Sequence, residues 1–464
     1  MTIRHGLLAF FAGLLSIQGC EDAIPTSTDG DLLPVEAVTV ELRLPFSEFA
    51  TDFQLFDGFG STSILPSLVL AHEWEETVEA RSLFRFLDLP RIIFVFPPGS
   101  NSTVTDSLFV PVSGEVALEL DTLDVRGLTP FLLEAGVTQT PWHPPSVDWD
   151  FAVDTLGAQV PWPEPGGGPV AFAGQGEWDP NADGGGGGSE IDPPLITRAT
   201  IPLDSAGVTA LLDTTVAGRG VRVSSLSPDS RLRVRSAELV VRVRSSVNPD
   251  TIVAITVGVR SVALLQDPPP SLDPAAFPIG GAPAVRATFR FDLPESVPGS
   301  PAVCAVVSCP VELLPERLVY AGLELYTHET IPTGLRPIQE TVIELRPVLS
   351  PERLPRSPLG FPLACPSGEC SMNLPSTVIE EDFFTIEQGT RVDLPITRYV
   401  RDLLRDDGSS ATPVPSTLVL MNGVDPQTLL ELRPLQYSTF WGPGTEFEPT
   451  LRLVLTVASG VPSP

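Results

Sequence analysis

Arg81-Ser82-Leu83-Phe84-Arg85-Phe86-Leu87-Asp88-Leu89-Pro90 returns about 205 residues later as Arg286-Ala287-Thr288-Phe289-Arg290-Phe291-Asp292-Leu293-Pro294. The aromatic residues in each copy alternate with Arg, and each copy ends on Pro. Alternation with period two marks a strand with one face buried. The same pattern runs through Ala37-Val38-Thr39-Val40-Glu41-Leu42-Arg43-Leu44, Arg231 to Arg235, Leu239 to Arg244 and Leu451 to Val457. Amphipathic helical stretches are short, at Ser205 to Leu212 and Thr397 to Arg405. They form a second repeated pair. Ile201-Pro202-Leu203-Asp204 leads into the first, and Leu394-Pro395-Ile396-Thr397 leads into the second. A third pair is Ser236 to Val241 against Pro449 to Val454. Short strands broken by Pro and Gly predict an all-β chain. The shared order predicts two tandem jelly-roll-like antiparallel β-sandwiches with one short helix each, over residues 35–247 and 248–460.

The chain has 464 residues, with 28 basic and 58 acidic side chains and a net charge of −30. All the basic residues are Arg; Lys is absent. An acidic chain repels a phosphate backbone, so no nucleic-acid partner is expected. Without Lys there is no Walker A lysine and no Schiff-base lysine. Four His, one at position 5, leave little for multi-His metal chemistry. Pro numbers 51, roughly twice the usual ~5%, and fits a chain with many turns.

The N-terminus reads Met1-Thr2-Ile3-Arg4-His5, then a dozen mostly apolar residues from Gly6 to Ile17, then Gln18-Gly19-Cys20. That apolar run is shorter than the ~20 residues a membrane span needs and has the length of a secretory core. Its end resembles a bacterial lipobox, which implies cleavage before Cys20 and lipid attachment to it. Residues 1–19 are then a lipoprotein signal peptide. Residues 20–34 carry the lipidated cysteine and a polar tether, Glu21 to Pro34. The partner implied is a membrane, reached through the lipid. The expected location is the bacterial cell envelope, at the outer membrane or cell surface. With Cys20 acylated, four cysteines remain as two C-x4-C pairs, Cys304/Cys309 and Cys365/Cys370. Two local disulfides are favoured, with cross-loop pairing as the rival and a four-cysteine zinc site as the functional alternative.

The order of elements resembles the DNRLRE-type β-sandwich, a jelly roll similar to the TGF-β propeptide fold and to carbohydrate-binding modules. The residues that carry the resemblance are the R-x-x-F-R-F strand, the segment with Pro141-Trp142 and Pro161-Trp162-Pro163-Glu164-Pro165-Gly166-Gly167, the short helix, and the closing run from Phe440-Trp441-Gly442 to Leu453. The resemblance implies a module of bacterial cell-surface or secreted proteins. It supports the fold more than any activity.

Two stretches could hold a ligand. Asp179, Asn181, Asp183 and Glu190 fit the D-x-[DN]-x-[DN]-G-x5-E spacing of a calcium loop, with Gly184 at the turn. The other reading is a flexible acidic loop, since five consecutive Gly resist ordering. Trp142, Trp149, Trp162 and Trp178 lie among Pro and Gly. On an exposed loop they would stack sugar rings; otherwise they pack beneath the loop. The alternating Arg231, Arg233, Arg235, Arg242 and Arg244 are either an anion strip or a face paired with acids. Catalytic patterns fail: His72-Glu73-Trp74-Glu75-Glu76 ends on Glu where H-E-x-x-H needs His, and no G-x-S-x-G is present. The sequence therefore predicts no catalysis and no obligate cofactor. It predicts an envelope lipoprotein for surface structure, adhesion or contact with an envelope protein. Carbohydrate binding through the Trp-rich loop, with a polysaccharide partner, is the alternative.

Overall fold

The structure is a computed structural model. It describes residues 37–59, 68–155, 157–181, 196–213, 220–267, 274–281, 284–363, 377–386, 389–406, 413–423 and 434–458. The stretches read as a signal peptide and a tether, with Cys20, lie outside the described residues, as do Asp183, Glu190, Cys365 and Cys370.

The fold is all-β, built from antiparallel sheets with few short helices. One sheet of nine strands occupies Leu68 to Gln266. Its path runs Val170–Trp178, Phe131–Thr138, Val221–Ser225, Val78–Phe86, Ile252–Gln266, Ser230–Arg244, Val110–Arg126 and Ile196–Leu203. Leu68–Trp74 joins both Ser230–Arg244 and Val78–Phe86. The sheet folds over on itself, because Ile252–Gln266 belongs to both layers. Its first half pairs with Ser230–Arg244, its second with Val78–Phe86. At the seam the two edge strands meet. A Cβ on Gly174 would lie 1.9 Å from the Pro202 carbonyl oxygen, so only glycine allows that approach. Phe84, Phe131, Leu118, Leu232 and Val241 fill the core between the layers.

The second sandwich has two sheets. Four strands run Ala37–Pro45, Thr450–Ala458, Leu318–Tyr326, Arg391–Pro395. Seven strands include Thr341–Pro347, Thr417–Asn422, Ala284–Phe291 and Tyr437–Trp441, with Ala50–Phe59 on Ala284–Phe291. Leu42, Leu323 and Leu453 from one sheet meet Phe289, Ile343 and Leu418 from the other.

Strand pairing does not follow the expected division at 247/248. Residues 37–59, assigned by sequence to the first unit, complete the second. Ile252–Gln266, assigned to the second, completes the first. The two segments occupy equivalent slots. Ile252 to Gly258 and Ala37 to Arg43 alternate identically between exposed and buried. The first run pairs with Arg244 down to Glu238, the second with Ala458 down to Arg452. Beyond these runs, Ser261 faces Arg85 while Thr51 faces Arg290, which are matching positions of the R-x-x-F-R-F repeat. The difference is local. Ile252–Gln266 stays one strand through the corner, whereas the helix Phe46–Phe49 breaks its counterpart and buries Phe46 and Phe49. Phe46 sits 5.8 Å from Phe289, and Phe49 sits 5.3 Å from Phe291. Such edge-on and tilted aromatic contacts suit the ring quadrupoles.

The two helices sit where the repeat puts them. Ser205–Leu212 follows the strand Ile196–Leu203, and Thr397–Arg405 follows Arg391–Pro395. Asp204 caps the first through the backbone N–H of Gly207. Val208 and Val400, at matching positions, are both buried.

Candidate functional site

The Trp-rich segment folds back onto the outer side of the first sheet and seals it. Trp142 and Trp162 are 4% exposed, and they pack on Leu83, Ala263 and Leu265. The Trp162 indole donates to the Asp148 carbonyl at 3.0 Å. Trp149 is partly buried against the same cluster. Trp178 is 3% exposed and stacks on Phe131 at 5.6 Å in the sandwich core. This burial goes against the alternative reading, a glycan platform at Trp142, Trp149, Trp162 and Trp178. A sugar ring needs an open aromatic face, and these faces are spent on packing.

The arginines of the repeat hold the segment down. The Arg81 guanidinium lies 4.9 Å from the Trp149 ring centre and donates to the Gly166 carbonyl at 3.0 Å. Arg85 lies 4.6 Å from the Trp142 ring centre and donates to its carbonyl at 2.8 Å. Cation–π contact holds each ring, and the hydrogen bonds fix the Gly166 turn and the Trp142 backbone. Gly166 has φ of +74°, and a Cβ there would strike both Arg81 and the Trp149 ring at 2.7 Å. The Pro-Gly-Gly turn is thus a packing requirement. Burial lowers the pKa of Arg81 and Arg85, and brings Arg222 down to about 10. In the second sandwich Arg286, the counterpart of Arg81, is likewise lowered to about 10, first by burial and then by Arg346 and Arg356.

One polar cluster joins the two sandwiches. Arg356 donates its Nε to Asp154 at 3.0 Å, and its Nη2 bonds Asp154 and Asp148. Asp148 also accepts from the backbone N–H of Phe151 at 2.7 Å and of Asp150 at 3.1 Å. Burial, and then Asp154, push the Asp148 pKa up to about 6 against the pull of these bonds and of Arg356. Elsewhere, Glu75 accepts from the Gly334 N–H at 2.7 Å, and Gln266 bonds the Tyr437 hydroxyl. Each contact joins one sandwich to the other.

Other candidate positions are structural. The Arg-rich strand pairs with acids: Arg235 with Asp121 at 2.7 Å, Arg233 with Asp121 at 3.5 Å, Arg242 with Glu115 at 3.2 Å. His143 bonds the Ser146 hydroxyl at 2.8 Å, and His328 packs on Trp441 at 4.5 Å. Cys304 and Cys309 form a disulfide, one of the two expected local bridges. Of the calcium-loop residues, Asp179 and Asn181 are described. Asp179 accepts from the Asn181 backbone N–H at 2.9 Å and from its amide at 3.2 Å.

Sequence reasoning missed the outer face of the four-stranded sheet. Glu324 is fully buried there beneath Arg43 at 3.2 Å and Arg391 at 3.4 Å. Arg452 bridges Glu41 at 3.1 Å and Asp393 at 3.7 Å. These charges tie Ala37–Pro45 to the three strands beside it. On the far side of Ala37–Pro45, a cleft of about 500 Å³ runs between Glu41, Leu42 and Arg43 and the stretch from Val297 to Val303. Among the described residues, no group of three or more His, Cys, Asp or Glu could hold a metal ion. Among them, too, no helix is long and apolar enough to cross a membrane.

No family model matches the chain, and no curated protein matches it. Among solved structures, the C-terminal domain of the Streptococcus pyogenes antigen I/II-family protein AspA aligns over 91% of both chains, at 10% identity and a TM-score of 0.12. A score that low carries no argument.

Proposed function

We propose that the chain is a non-catalytic structural module of the bacterial cell envelope, anchored by lipid at Cys20. The observation that carries it is that the first sandwich, Leu68 to Gln266, is inserted within the second, which residues 37–59 complete from the other side of it in sequence. An inserted unit is joined to its host by two chain connections as well as by the contacts between them, which suits a spacing role outside the membrane. The polar side chains that gather also support the reading. Asp148, Asp154 and Glu324 are each held by arginines of the same chain. The resemblance to DNRLRE-type sandwiches belongs to the same reading, as does contact with an envelope protein.

The anchor is tested by fractionation. The wild-type chain should sediment with membranes and incorporate labelled palmitate, and Cys20→Ser should do neither. A Cys20→Ser chain that stays in the membrane fraction overturns the anchor.

A further inference from the structure

We infer that a second copy of this chain can donate residues 37–59 to the second sandwich, so that copies join by strand exchange. This deepens the reading as a structural module and rests on it, but does not depend on the anchor.

The two equivalent slots are filled in different ways. In the first sandwich the slot beside Ser230–Arg244 is taken by the next strand of the chain, Ile252–Gln266. The connection is a tight hairpin, with Ser245 N–H bonded to the Thr251 carbonyl at 3.2 Å. Among the described residues, Thr450–Ala458 has no strand following it. Its slot is filled by Ala37–Pro45, register-paired from Ala37 opposite Ala458 to Pro45 opposite Thr450. The partner is more than 400 residues away in sequence. The donated segment makes its strand pairs with the second sandwich alone, at Thr450–Ala458 and Ala284–Phe291. Its core side chains Leu42, Leu44, Phe46 and Phe49 are buried in that same sandwich. Its charged side chains Glu41 and Arg43 meet Arg452 and Glu324 there.

The strand pairing, core packing and ion pairs named for residues 37–59 all fall in the second sandwich, and every copy carries both the strand and the slot. Exchange of identical elements between copies preserves each native contact, so its cost is mainly the lost covalent proximity. A short linker gives an effective concentration of about 1 mM, and exchange between copies competes when the chain concentration approaches that value. Two copies can exchange the segment reciprocally and close as a dimer, or pass it on from copy to copy.

The test uses two full-length Cys20→Ser chains, one with Thr39→Cys and one with Thr456→Cys. Thr39 and Thr456 are directly opposed and both exposed. The pair is unfolded in urea, mixed at about 1 mM, refolded and oxidised with diamide. A third chain with Ser102→Cys, exposed on the first sandwich, replaces Thr456→Cys as the control for random linkage. A double variant, Thr39→Cys with Thr456→Cys, should close within one chain at low concentration. The inference expects the mixed pair to give linked dimers at about tenfold the control yield, falling away on dilution below the effective concentration. Dimer yield equal to the Ser102→Cys control, with the double variant closing normally, overturns it. Failure of the double variant to close overturns the strand pairing on which it stands. Neither result bears on membrane fractionation, so the anchor and the exchange can fail separately.

Discussion

Arg356 reaches out of the second sandwich and donates its Nε to Asp154 of the Trp-rich segment at 3.0 Å, while its Nη2 lies 3.4 Å from Asp148. One guanidinium thus joins the two units and answers two carboxylates at once. Burial and the neighbouring Asp154 push the Asp148 pKa up to about 6, and Arg356 offsets only part of this.

The raised value makes Asp148 a source of instability at neutral pH. A carboxyl whose folded pKa exceeds its unfolded value holds an extra proton in the native state between the two. Its contribution to stability is therefore lost as pH rises from about 4 to about 6. Asp148→Asn keeps an oxygen for the Phe151 and Asp150 N–H groups and removes the charge. It should match the wild type at pH 4 and exceed it at pH 7 by about 1 kcal/mol, after discounting for partial exposure. Urea denaturation at both pH values checks this. A variant equally shifted at both is inconsistent with the assignment.

Arg356→Ala leaves Asp148 and Asp154 facing each other without their shared cation. It should cost about 1–3 kcal/mol at pH 7. The loss should shrink at pH 4.5, where Asp148 takes up a proton. Limited proteolysis should cut the variant faster within residues 141–169, because the segment loses its hold on the second sandwich. Thermal melts across pH read the first effect, and mass spectrometry of the fragments reads the second.

Trp162→Ala tests whether the segment is core or platform. The indole is 4% exposed and packs on Leu83, Ala263 and Leu265. Truncation should destabilise the first sandwich by about 3–5 kcal/mol, the range for a buried aromatic. A change within a few tenths of a kcal/mol of wild type in chemical denaturation would mean the side chain is not packed as found.

Much of this architecture is written in local pattern. The R-x-x-F-R-F copies are both interior strands with their Phe pairs buried, and both helices lie where the repeat places them. Cys304 and Cys309 are five residues apart and bridge locally. What the sequence hides is non-local. Ala37–Pro45 and Ile252–Gly258 have the same alternation, so periodicity shows that each is a strand but not which slot it fills. The tryptophans sit among Pro and Gly and look like loop residues, yet Leu83 and Arg85, more than 50 residues upstream, cover them. The signal for that cover was present. Arg81 and Arg85 belong to the repeat, and an arginine flanking a buried strand needs an acceptor or an aromatic face. Glu324 carries no such signal, because its burial comes from strands meeting across the sheet.

The pairing of residues 37–59 with the second sandwich makes a prediction that the linear order of the chain would not. Leu42 and Leu453 are directly opposed and both buried in the second sandwich. Leu42→Ala should cost about 2–5 kcal/mol and leave a cavity that Leu453 also lines. Amide exchange should then quicken in Thr450–Ala458 and Leu318–Tyr326, which share its sheet. It should stay unchanged in Ser230–Arg244, although that strand belongs to the half of the sequence in which Leu42 lies. Leu453→Ala should produce the same exchange map, and the two losses should fall short of adding because they open one void. Leu239→Ala, at the position in the first sandwich that matches Leu453, should be additive with Leu42→Ala. An exchange map in which Leu42→Ala loosens Ser230–Arg244 would return residues 37–59 to the first unit.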